Sequence, residues 1–230
     1  GSWPIVWDRA RGVHVWSTDG RRYLDLTAAF GVANAGHANP RVVGAAQRQS
    51  SRLLHAMGDV HPHPLKAELV RTLSQITFER WPGGRPGKAI LGNSGFEAVE
   101  AALKTAMLAT GRAGVLVFEG GYHGLGYGAL TVTHREFFRA PFIRQLGGFA
   151  HFVPFPSDSA WPGRRCDQVR GRPAEILDAC MKRVIRVGRR HRIGAVLVEP
   201  VQGRGGIRVP VSGFLKALRK WCDQSGALLV

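Results

Sequence analysis

Between residues 92 and 124 the chain sets groups suited to a phosphate beside groups suited to a flat ring. Ala98, Val99, Ala102, Leu103, Ala106 and Met107 recur at helical spacing after Ser94. Ser94 followed by Glu97 is a capping-box pattern, and Gly111 is placed to stop the helix. The first-turn amides of such a helix have no intrahelical acceptor and carry partial positive charge. With Gly92 and Gly95 permitting close approach, they suit a phosphate, although a strand, a glycine and a capped helix also serve purely structural roles. The apolar run Val115-Leu116-Val117-Phe118 then leads into Glu119-Gly120-Gly121-Tyr122-His123-Gly124, an aromatic and an imidazole between glycines. The carboxyl end of a sheet strand is where ligands of open α/β folds bind.

A second set of groups follows the apolar run at 193–198, where Glu199-Pro200 ends a buried parallel strand and Gly203-Arg204-Gly205-Gly206 forms a loop. His55, His61 and His63 are bound by prolines and have no carboxylate or cysteine companions, so no metal site is expected there. Of the six lysines, Lys66, Lys104, Lys182, Lys216 and Lys220 fall in helical patterns, and Lys88 starts a strand at the wrong end. None stands in a loop at a strand's carboxyl end, where ligands of open α/β folds bind.

These residues need a framework, and the pattern supplies one. Val13-His14-Val15-Trp16 and Tyr23-Leu24-Asp25-Leu26 alternate around Thr18-Asp19-Gly20, which predicts a two-stranded hairpin. Asn39-Pro40 opens a helix to about residue 55, and residues 64–78 form an amphipathic helix. The loop 81–87 delivers the chain to a short strand, Ala89-Ile90-Leu91. A short helix is expected over 126–133, an irregular stretch over 135–162 and a long amphipathic helix over 173–191. Ser212 is read as the cap of a helix running through Cys222, with Gly226 ending it and a strand beginning at Ala227.

Composition narrows the function classes. At 230 residues and 44% hydrophobic the chain can bury a sizeable core. The net charge of +16 comes mostly from scattered arginines and raises nucleic-acid binding as an alternative. No zinc-finger spacing, RNA-recognition signature or basic helix accompanies it, so neither nucleic acid nor metal is expected as a partner. Cys166, Cys180 and Cys222 form no CxxC pair, which argues against a disulfide scaffold or structural zinc and favours a reducing compartment. No apolar run reaches spanning length and the first residues lack a signal-type apolar region, so a soluble, cytoplasmic protein without a membrane partner is expected.

The ordered motifs NSGFEAVEAALK, FEGGYHG and VLVEPVQGRGG resemble those of the class III aminotransferases, pyridoxal-phosphate enzymes of fold type I, and the similarity runs over nearly the whole chain. The resemblance implies an α/β chain: residues 1–55 as a hairpin and helix segment of the small domain, then 56–230 as part of the three-layer large domain around a mostly parallel sheet. It implies pyridoxal 5'-phosphate as cofactor, with Ser94, Gly95 and Phe96 as the phosphate cradle, Tyr122 as the aromatic stacked on the pyridine ring and His123 beside it. Glu199 matches the family glutamate, which either contacts the cofactor or caps amides of the loop 203–206. Phe30 and Arg204 fall in substrate-contacting segments. Arg204 is a departure, since many members carry a glutamate there.

The cofactor-binding lysine of the family lies further along than Val230, so no catalytic residue is assigned, and an N-terminal portion of a longer, homodimeric enzyme is expected. The implied activity is transamination between an amino acid or amine donor and a 2-oxo acid acceptor. An epimerase, aminomutase or decarboxylase of the same fold, or a non-enzymatic basic binding protein, are the alternatives.

Overall fold

The computed structural model describes residues 4–58, 60–157 and 172–230. Its contacts divide the chain into two compact units, Gly1–Ala89 and Ile90–Val230.

The first unit holds an antiparallel sheet of order β1-β2-β3, with β1 at Trp7–Arg11, β2 at His14–Ser17 and β3 at Arg22–Leu24. The predicted hairpin is β2-β3, in which Val15 pairs with Tyr23 and Gly20 takes φ +82° in the turn. Strand β1 is an addition that the sequence does not announce, because WDRAR carries three charges in five residues and no alternation. The segment α1, Ala28–Gly31, turns left-handed, with φ of +48°, +50° and +59° at Ala28, Ala29 and Phe30. Asp25 fixes it: its carboxylate accepts from the Thr27 and Ala29 amides and the Thr27 hydroxyl, and pairs with His37 Nε2 at 2.8 Å. The hydrogen bond to His37, followed by those from Thr27, holds the Asp25 carboxyl well below the usual carboxylate range.

Helix α2, Pro40–Ser50, is capped by Asn39 as expected, but stops five residues short of the predicted end. Its continuation, RLLHA, finds no packed face, and Leu54 is 85% exposed. Helix α3 spans Pro64–Ile76, capped by His63, whose ring nitrogen accepts from the Leu65 amide. His63 thus has a helix-capping role. The strand expected at Ala89-Ile90-Leu91 does not form. These residues are extended but unpaired, with Ile90 73% exposed, because a strand of three residues is stable only on a ladder and no described strand runs alongside.

The second unit is a three-layer α/β sandwich. Helix α4, Gly95–Thr110, precedes β4, Gly114–Phe118; short helices α5, Tyr127–Val132, and α6, Glu136–Arg139, precede β5, Ala150–Val153. Helix α7, Pro173–Arg190, β6, Ile193–Leu197, helix α8, Phe214–Ser225, and β7, Leu228–Leu229, complete it. The strands are all parallel, in the order β5-β4-β6-β7. Side-chain alternation assigns the two faces. Leu116 and Phe118 of β4 join Val196, Cys180, Val184, Phe214, Leu218 and Cys222 under α7 and α8. Val115 and Val117 join Ala195, Leu197, Ala106 and Val132 under α4 and α5. Both faces of β4 and β6 are covered, which is why those strands read as unbroken apolar runs.

Gly111 and Gly226 take left-handed φ of +63° and +70° and end α4 and α8 where expected. Ser212 does not cap α8. That place belongs to Gly213 at φ +84°, and the chain turns there to bury Phe214. Strand β5 lies inside the stretch expected to be irregular. Its four residues, AHFV, are too few to show a period, and pairing with β4 defines them. Cys180 and Cys222 are buried, and burial pushes their thiols up to about 12 and about 11. Cys166 lies outside the described residues. No helix among the described residues is long and apolar enough to cross a membrane.

Candidate functional site

The loops that leave the carboxyl ends of β4 and β6, together with the start of α4, gather most of the predicted residues. Ser94 has extended φ and ψ and caps α4, its hydroxyl accepting from the Glu97 amide. Glu97 reaches back to the amide of Asn93, one residue earlier than a capping box requires. The amides of Gly95 and Phe96 open the helix, and a side chain at Gly95 would meet nothing within 4 Å. A sixteen-residue helix thus presents a positive end with open space in front of it.

Phe96 joins that helix end to the Tyr122 loop. A Cβ on Gly124 would lie 2.4 Å from the Phe96 Cβ, and one on Gly126 would lie 2.6 Å from its ring. Glycine is required at both positions, and Gly124 also has φ +122°. One turn along α4, Glu100 accepts from the Ala129 amide at 2.9 Å, so α4 also orients α5.

Glu199 connects the β4 and β6 loops. One carboxylate oxygen accepts from the Tyr122 amide at 2.8 Å and the other from the Gly203 amide at 3.0 Å. Of the two roles open from sequence, backbone capping is the one seen, and it reaches across to Tyr122. The loop from Gln202 to Arg208 closes as a narrow ribbon, with reciprocal backbone bonds of 3.0 Å between its two ends. Gln202 and Arg208 are buried and were not anticipated as site residues. Gln202 donates to the Glu119 carbonyl at 2.9 Å, and Arg208 donates to Gln202 Oε1, Ser157 Oγ and the carbonyls of Glu119 and Phe155. Their signal in the sequence is weak: a polar and a charged residue flanking a glycine loop usually face solvent.

The Tyr122 ring is half-buried and packs against Phe138, centroids 5.5 Å apart. The Arg204 guanidinium carbon stands 4.9 Å from the Tyr122 centroid and 5.7 Å from that of Phe138. Its backbone is held in turn, since Arg135 donates to the Arg204 carbonyl at 2.9 Å. Arg204 is therefore an exposed cation laid over two aromatic rings. His123 points inward, its amide donating to Thr133 Oγ1, and burial lowers its imidazole from 6.5 to about 4. It is neutral at physiological pH and can serve as a hydrogen-bonding group but not as a cation.

Ser94, Gly95, Phe96, Tyr122, His123, Glu199 and Arg204 all lie on these three segments of the second unit. Phe30 belongs to the first unit, where it is 93% exposed on the left-handed turn that Asp25 holds. None of the six lysines stands at the carboxyl end of a sheet strand. Five are in helices α3, α4, α7 and α8, and Lys88 lies in the extended segment before Gly92.

Comparison with known proteins identifies the family. The family model described as Aminotransferase class-III matches residues 1–230. Among curated relatives, a 2-aminoadipate transaminase of Pseudomonas putida is 36% identical over 230 residues, covering 99% of this chain and 51% of its own length. An acetylornithine aminotransferase of Methanosarcina acetivorans is 35% identical, covering 100% of this chain and 50% of its own. An amine transaminase from an uncultivated Pseudomonas species, solved in its pyridoxal-phosphate-bound form, superposes with a TM-score of 0.86 at 28% identity, over 99% of this chain and 51% of that one. The chain spans about half the length of the curated relatives it matches.

Proposed function

Since the chain belongs to the class III aminotransferase family, we propose that it carries the phosphate-binding and ring-binding portion of a pyridoxal-phosphate-dependent transaminase. The reaction is transfer of an amino group between an amino acid or amine and a 2-oxo acid. The observation that carries this reading is the junction at Phe96, which sets the positive end of α4 beside the Tyr122 loop. The residues present fit the cofactor: open space at Gly95 in front of free first-turn amides suits its phosphate, and a half-buried flat ring at Tyr122 suits its pyridine. When bound, pyridoxal phosphate supplies an electron sink for the bond that breaks at the substrate carbon.

In this reading each residue has a definite task. The amides of Gly95 and Phe96 hold the phosphate, and Ser94 fixes the helix start that aims them. Tyr122 restricts the cofactor to one plane, and Glu199 sets the position of that ring through the Tyr122 amide. His123 buttresses the loop as a neutral imidazole. Phe30, in the first unit, is proposed as a substrate contact from its sequence motif alone. Arg204 offers a planar cation to a substrate carboxylate, in favour of carboxylate-bearing substrates over simple amines. The amine that would bind the cofactor covalently is assigned to none of the six lysines, whose places are unsuited to it. Family membership also supports a homodimer as the working form, and cysteines without a CxxC pair support a reducing, cytoplasmic compartment.

The test is cofactor binding by the full-length protein, followed by visible absorbance and by quenching of tryptophan fluorescence. Gly95→Asp places a carboxylate in the cradle, and Tyr122→Ala removes the ring. Each is expected to weaken pyridoxal phosphate binding by about tenfold or more. Unchanged binding in both variants overturns the assignment.

A further inference from the structure

The opposite end of the parallel sheet carries a second concentration of charge that the proposed reaction does not use. Where β4 and β6 begin, a cleft of about 360 Å³ is lined by Arg112, Arg189, Arg190, Arg192, His191 and Trp221, among others. Arg189 and Arg190 are in the last turn of α7, and Arg192 immediately precedes β6. Arg112 forms a fixed wall: its Nη1 donates to the Ile193 carbonyl at 3.1 Å and to the Ser225 carbonyl, at the end of α8, at 2.8 Å. Trp221 lies so close to Gly188 that a Cβ there would stand 2.4 Å from the indole. His191 is stacked on His151 with centroids 3.9 Å apart.

Local structure accounts for part of this charge only. Three helices, α4, α7 and α8, end at or beside the cleft, and each carboxyl end carries about half a negative charge, which favours basic side chains nearby. Against the four arginines this leaves between about two and three positive charges uncompensated. Every carboxylate on α7 and α8 is engaged elsewhere: Glu175 with Arg172, Asp178 with Lys182 and Asp223 with Arg219. None of the four arginines has a carboxylate partner among the described residues. Four arginines lining one small cleft match a ligand with several charged oxygens in a small volume.

We infer that this cleft binds a compact polyphosphate anion, at a site separate from the α4 phosphate cradle. Strand direction enforces the separation: the cradle lies with the loops after β4 and β6, and the arginine cleft lies where those strands start. The inference does not rest on the proposed reaction and stands or falls apart from it.

The experiment is calorimetric titration of the full-length protein with inorganic triphosphate at about 0.15 M salt, where non-specific attraction is largely screened. Saturable binding with one triphosphate per chain is expected. The triple variant Arg189→Gln, Arg190→Gln, Arg192→Gln should weaken it by about tenfold or more. A control triple, Arg41→Gln, Arg52→Gln, Arg183→Gln, removes the same charge from exposed positions and should leave the affinity within about twofold. Saturating pyridoxal phosphate should not displace the triphosphate. Should the first triple variant lose its cooperative melt, Arg192→Gln, outside the helix, is read in its place and should weaken binding by about threefold or more. Absence of saturable binding, equal loss in the control triple, or displacement by pyridoxal phosphate overturns the inference.

Discussion

Replacing Glu199 by glutamine tests the idea that one carboxylate ties together the loops of two strands. The native side chain accepts from Tyr122 N–H at 2.8 Å and from Gly203 N–H at 3.0 Å. A glutamine amide has only one acceptor oxygen, so one of these N–H groups must lose its partner and face an NH2 group. A hydrogen bond to a charged acceptor contributes about 1.5–3 kcal/mol, and the half-buried position argues for the middle of that range. We therefore expect Glu199→Gln to lower unfolding free energy by about 2 kcal/mol, which for a chain of this size moves the melting midpoint down by about 4–8 °C. Local opening should change more selectively. Amide exchange at Tyr122 or Gly203 should quicken by about thirtyfold relative to amides of β4, the equivalent of about 2 kcal/mol. Thermal melts by circular dichroism give the first quantity and exchange mass spectrometry the second. A melting midpoint within about 1 °C of the parent, with both amides exchanging at the parent rate, would refute the reasoning and leave Glu199 as a surface carboxylate.

The remaining predictions concern the same loops. Gly124→Ala combines a Cβ 2.4 Å from the Phe96 Cβ with φ +122°, and should cost about 2–4 kcal/mol in urea denaturation; the addition of Phe96→Gly, which removes that Cβ, recovers only the steric part. His123 is neutral in the folded state down to about pH 4, while its unfolded value is 6.5, so between those values the unfolded chain binds the extra proton. Its contribution is complete above pH 6.5 and falls away by about 3 kcal/mol as pH drops to about 4; His123→Asn should flatten that part of the stability curve, and an unaltered slope would show that another group titrates. Arg204→Glu in the full-length enzyme should lower kcat/KM for carboxylate-bearing substrates by about tenfold or more, whereas an unchanged substrate profile places Arg204 outside the substrate's reach. In the sheet core, Leu218→Ala should cost about 2–5 kcal/mol in the same denaturation assay, since its side chain is wholly buried between α8 and the strands.

The amino-acid sequence by itself determined the elements whose cause is local. The apolar runs of β4 and β6, the 3.6-residue period of α4 and α7, the Asn39 and Ser94 caps and the glycine stops at Gly111 and Gly226 all follow from short-range backbone and side-chain preferences. The ordered motifs around Ser94, Tyr122 and Glu199 were enough to indicate the family. Elements whose cause is a distant partner were not legible. The tetrapeptide AHFV becomes β5 only because β4 offers it a ladder, and Ala89-Ile90-Leu91, more apolar, stays unpaired for want of one.

The same distinction holds at the site. Sequence spacing could bring Ser94 to Phe96 and Tyr122 to His123 under consideration, because each set is contiguous. Only the folded chain shows Glu199 accepting from an amide 77 positions away, Phe96 filling the space left by Gly124 and Gly126, and Arg204 lying over Tyr122. Which of two chemically reasonable roles a carboxylate or a guanidinium adopts depends on the donors and rings that come within a few ångströms of it. Those neighbours are set by how the helices and loops pack on the sheet, and a local pattern carries no information about them.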